Sequence, residues 1–113
     1  MSATAASEDE LRNALSKDFE ELFVDLGRFG LDIGPRDAFE KGMRIFKALD
    51  AELHRTICEA ELPRHLVEDE ADELMLAAAI ADLVATVSEN VPVATVAALI
   101  VKTNLPQYCV DYW

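Results

Sequence analysis

Proline and glycine are scarce in this chain, with four of each among 113 residues. That scarcity disfavours many short strands joined by tight turns and suits long helices. Cysteine is scarcer still. Cys58 and Cys109 are too few for a disulfide framework, and they fit a reducing compartment in which they pack as small apolar side chains. No long apolar run is present either. The most apolar window, LMLAAAIADLVATV, is too short for a bilayer and carries Asp82 in its middle. The opening residues, MSATAASEDE, have neither a basic flank nor an apolar stretch, so no secretory or mitochondrial address is expected. These shortages together point to a cytoplasmic protein with no membrane partner.

Positive charge is the remaining shortage. Ten Lys and Arg face 22 Asp and Glu, for a formal charge of −12. The imbalance is uneven. Residues 1–30 carry seven acids and three bases, residues 31–60 six and five, and residues 61–113 nine and two. Such a field repels phosphate and anionic lipid, and it favours basic partners or plain solubility. An acid-rich, salt-loving proteome would give the same balance.

What the chain does have is apolar residues, 51% of the total, enough for a core. At this length folding buries roughly two-thirds of the unfolded surface, so one domain can stand without metal or disulfides. Residues 1–6 are small and polar and are expected to fray, leaving 7–113 as a single domain. Ser7 and Glu10 form a capping-box signature. After them Leu11, Leu15, Phe19, Leu22, Leu26 and Phe29 recur at helical spacing, with Phe23 widening the stripe, which predicts a helix over 8–28. Gly27, Gly30 and Gly34 loosen its end. Pro35 and Asp37 then open a second helix over 35–61, with Phe39, Met43, Phe46, Leu49, Leu53, Ile57 and Ala60 on its apolar face. On the outer face Asp37–Lys41 and Glu40–Arg44 have the spacing of helix ion pairs. The short link folds this helix antiparallel onto the first.

Leu62-Pro63 breaks or kinks the chain. The acids Glu68, Asp69, Glu70, Asp72 and Glu73 then precede a third helix over 68–88, which they stabilise through its positive N-terminal end. Leu74, Met75, Leu76, Ile80, Leu83, Val84 and Val87 circle that helix, as expected of a central one. Segment 92–103 mixes strand formers with an Ala-Ala-Leu centre and is read as helix. A short fifth helix follows at 106–112. The expected fold is all-α, a compact bundle of four to five helices.

The end of the chain, VATVAALIVKTNLPQYCVDYW, weakly resembles a helix-turn-helix. Ile100 takes the inward position, Asn104 the turn residue that needs positive φ, and Val110 the return to the core. Its would-be reading helix, PQYCVDYW, holds no cation, and phosphate contacts need cations. Direct nucleic-acid binding is therefore not expected. Asp50, His54 and Cys58 share one face of the second helix, a workable spacing for metal ligands or for a thiol with its base. No CxxC, HExxH, Gly-centred calcium loop or phosphate loop accompanies them. The plainer account pairs Asp50 with His54 and packs Cys58 beside Ile57. No catalytic residue, cofactor or metal is assigned.

The apolar segments 74–87 and 93–101 hold more apolar surface than two amphipathic helices readily cover, and Tyr108, Tyr112 and Trp113 add aromatic area. Either this surface is monomer core or it faces another chain. The reading that follows is a small acidic, non-enzymatic interaction module. It would act by self-association or by docking a protein partner. Its contact residues are Leu83, Val87, Tyr108, Tyr112 and Trp113, with Glu68, Asp69, Glu70, Asp72 and Glu73 steering a basic partner. Two other classes stay open: a transcription-associated regulator using the 95–113 corner, and a small metal- or thiol-dependent protein using His54 and Cys58.

Overall fold

The structure is a computed structural model describing residues 6–88 and 90–113. The expectation of a frayed start falls largely on residues 1–5, outside the described residues; Ala6 itself is 4% exposed and packs in the core. Among the described residues the fold is all-α, with seven helices and no strand. These are α1 (Glu8–Leu15), α2 (Phe19–Arg28), α3 (Pro35–Glu59), α4 (Glu61–Glu68), α5 (Glu73–Val87), α6 (Val93–Lys102) and α7 (Leu105–Tyr108).

The first predicted helix is divided in two. Ser7 and Glu10 close the capping box of α1, as the sequence signals. Ser16 then ends α1, and the Asp18 carboxylate accepts from the Glu21 N–H to start α2. Cutting the stripe there leaves part of it off the core. Leu11, Leu22 and Leu26 are buried, whereas Phe19 and Phe29 are exposed.

α2 and α3 form the expected antiparallel pair, but their seam is built from small residues. A Cβ on Gly27 would overlap the Ala38 carbonyl, and one on Gly42 would overlap the Phe23 carbonyl. Gly27 therefore does not loosen a helix end; it lets two backbones touch. Ala38 is buried at this crossing while Met43, expected on the apolar face, is 47% exposed. Phe23 packs edge-on against both Phe39 and Phe46 beside it. Neither Asp37–Lys41 nor Glu40–Arg44 is an ion pair in the structure; those among the described residues include Arg12–Glu8, Lys17–Asp25 and Arg64–Glu68.

The chain turns at extended Ala60, so Pro63 falls in the first turn of α4, where its missing N–H costs nothing. The helix predicted over 68–88 therefore starts later. Glu68 closes α4, Glu70 adopts positive φ in the link, and Asp72 caps α5 by accepting from Met75. The central helix is α6 rather than α5. Every residue from Val96 to Val101 is buried, and α6 packs on α1, α2, α5 and α7. Burial on all sides overrides the strand preference of its valines.

C-terminal corner and candidate interaction surface

The C-terminal corner is built on one face of α3. Asp50, His54 and Cys58 sit four residues apart there, and α7 with the residues after it lies across them. Asn104 takes φ 77°, the left-handed turn the sequence predicts, and Leu105 buries behind it. The Tyr108 ring stacks on His54 at 3.8 Å between centroids, and its hydroxyl donates to Asp50 Oδ1 at 3.2 Å. His54 Nε2 lies 2.9 Å from the Tyr108 carbonyl, and Nδ1 lies 3.1 Å from Asp50 Oδ1. The Trp113 indole N–H donates to the Cys58 carbonyl at 2.9 Å.

Cys58 and Cys109 are joined in a disulfide across 51 residues. This corrects the sequence reading of two separate thiols in a reducing compartment. The spacing that put Cys58 on one face with His54 was legible, but the arrival of Cys109 on that face depends on the path of α6 and α7. The bond also removes Cys58 as a metal-binding thiolate or nucleophile. Val110, expected to return to the core, is 67% exposed. α7 spans only four residues, and Cys109 is the residue drawn inward. A single turn held against α3 leaves no free reading helix for a groove of DNA.

Burial pushes the pKa of the Tyr108 hydroxyl above the usual phenol value, and Asp50 adds to this by its charge and by accepting the hydrogen bond. The folded tyrosine thus keeps its proton where the unfolded one has lost it. Its share of stability is complete below about pH 10 and is lost as pH rises beyond that. Urea unfolding at pH 9, 10 and 11 should show wild type weakening more steeply than Tyr108→Phe. Equal slopes would remove Tyr108 from the alkaline response.

The remaining predicted contact residues fall into separate places. Tyr108 and Trp113 are half-buried in the corner, occupied by contacts within the chain. Tyr112 is 45% exposed and lies over Ala51, Glu52 and Arg55 of α3. Leu83 and Val87 are half-buried on α5 and pack at the edge of the core. Glu68, Asp69, Glu70, Asp72 and Glu73 are all exposed. Glu68 pairs with Arg64, and Asp72 is used as a cap. Most of the apolar C-terminal half closes within the monomer, since Ala77, Ile80, Ala81, Val84 and the middle of α6 are buried.

No helix among the described residues is long and apolar enough to cross a membrane. No family model, curated protein or solved structure matches the chain.

Proposed function

We propose that the protein is a small acidic, non-enzymatic interaction module that associates with itself or with a protein partner through the side of α5 that carries Leu76, Leu83 and Val87. One observation carries this reading. α5 has two charged residues in fifteen, yet it lies at the surface with Met75 exposed and Leu74, Leu76, Leu83 and Val87 half-buried. Glu73 and Asp82 are exposed, but Leu76, Leu83 and Val87 fall within about 40° of one another around the helix, and a half-open apolar flank of this kind marks a place where another surface fits. Its strong acidity favours a basic partner and selects against nucleic acid and anionic lipid. The disulfide withdraws the support that two free thiols would have given to a cytoplasmic location.

The corner takes a structural role in this reading. Tyr108 and Trp113 serve the fold, so a combined Tyr112→Ala and Trp113→Ala variant would confuse folding with binding. Leu83→Glu is the cleaner substitution, because Leu83 is only half-buried. Light scattering at low and high salt should find wild type associated at both, since apolar contact is not screened. Leu83→Glu should be monomeric with unchanged far-ultraviolet circular dichroism. A wild-type monomer at both salts would overturn self-association. An associated Leu83→Glu variant would overturn the use of this side of α5.

A further inference from the structure

The starts of α1 and α5 lie side by side, and an apolar groove of about 330 Å³ runs between them. Leu11, Leu74, Met75 and Ala78 line it, with Glu8 and Asp72 at its edge. Met75 is 55% exposed, the side chain a seated partner would cover. A second hollow of about 540 Å³ continues past Leu74 toward Arg12, Leu15 and Glu73. The two share Asp72 and Leu74, so together they form one trough along the α1–α5 seam.

The charge around this trough is predominantly negative. Glu8, Asp9 and Glu10 open α1, and Glu68, Asp69, Glu70, Asp72 and Glu73 surround the start of α5. Among the described residues Arg12 is the one cation lining either hollow, and Glu8 already holds it at 2.7 Å. Its guanidinium pKa is raised chiefly by the hydrogen bond and charge of Glu8, with Asp72 and Asp9 adding to it. The acids of both helix starts therefore act on the same small region. An apolar seat inside a negative rim complements an apolar side chain flanked by cations.

We infer that this trough docks a basic segment of a partner protein, with large apolar side chains seated on Leu11, Leu74, Met75 and Ala78. The inference rests on the interaction reading above and adds the partner's chemistry and a second place on α5. Leu74 and Leu83 are nine residues apart, which is about 180° around a helix. The two surfaces can therefore be separated by substitution.

The probe is a fluorescent amphipathic Leu–Lys peptide, with a Leu–Glu peptide of the same apolar face as its control. Anisotropy titration should show the Leu–Lys peptide binding, salt weakening it, and the control failing to bind. Met75→Asp decides between a seat and a mere charge, because it adds negative charge while spoiling the apolar floor. An exposed acid in the first turn of α5 is compatible with the helix, so the variant should fold. Docking in the trough predicts at least tenfold weaker binding to Met75→Asp, with amide shifts in wild type centred on Leu11, Leu74 and Ala78. Binding that is equal or tighter in Met75→Asp would overturn the inference in favour of surface charge alone. No binding to wild type would overturn it as well.

Leu83→Glu should leave the peptide bound. Loss of self-association in Leu83→Glu without any peptide binding would sink the trough while keeping the interaction reading. Peptide binding by a strictly monomeric protein would keep the trough and sink self-association. Loss of self-association in Met75→Asp, with the peptide indifferent to the change, would assign the trough to a second copy and overturn the basic occupant.

Discussion

Without the Cys58–Cys109 bond the protein is expected to lose about 4 kcal/mol of stability, the chain-entropy value for a loop of this length. The bond closes a loop of 51 residues, which the unfolded chain could otherwise spread over many conformations. Both cysteines are buried, at 5% and 0% exposure, so alanine is the replacement that strands no polar atom. For a chain of this size the loss corresponds to a melting point lower by roughly 15–20 °C. The corner's other contacts set what survives: the Trp113 indole bond, the Tyr108–His54 stack and the Tyr108–Asp50 bond remain available in the variant. The Cys58→Ala, Cys109→Ala double variant should therefore still fold, and thiol titration of folded wild type should find no free sulfhydryl. A double variant that melts within a few degrees of wild type would show that those contacts, not the bond, hold the corner.

The α2–α3 crossing is expected to be nearly as unforgiving. Gly27→Ala places a methyl on the Ala38 carbonyl, and Gly42→Ala places one on the Phe23 carbonyl. Both obstacles are backbone atoms, which have no rotamer to change, so the helices must part. Each substitution should cost about 3 kcal/mol, the upper part of the usual range for overpacking. The two costs should not add. Once one methyl has forced the helices apart the second finds room, and the double variant should be less destabilised than the sum by about 1 kcal/mol or more. Gly34→Ala serves as the control, since a Cβ there meets nothing within 4 Å, and it should change stability by less than about 0.5 kcal/mol. Urea unfolding of the four variants measures all of this. Full additivity would mean that the two glycines do not share one crossing.

Much of this fold was legible where the signal is local. The capping box at Ser7, Pro35 at the first position of α3 and the turn at Asn104 are each set by a few neighbouring residues, and each stands as read. The break between α1 and α2 was also present as Asp18 followed three residues later by Glu21, but a continuous apolar stripe outweighed it. What resisted reading was long-range. Met43 matched the apolar period of α3 as well as Gly42 did not, yet the backbone contact with α2 needed the glycine inside. Burial of α6 instead of α5 depends on how many neighbours each helix finds, which no periodicity within either one records. The acid run reads as one block in sequence, whereas the positive φ at Glu70 divides it between the end of one helix and the start of the next. For the candidate surface, the exposed position of Met75 depends on which side of α5 is covered by α1, α3, α4 and α6, again a long-range matter.

The bond at the corner also decides how the chain would yield if drawn out by its ends. Force entering at the first residues and at Trp113 would bypass the segment between Cys58 and Cys109, because the covalent link carries the load across it. That segment holds α4, α5, α6 and α7, including the most deeply buried helix among the described residues. Fully extended, its 51-residue span amounts to about 170–180 Å of contour that stays hidden while the sulfurs are joined. Under tension the oxidised molecule would give up α1, α2 and α3, and with them their share of the core, while the closed ring would keep α4 to α7 from being drawn out.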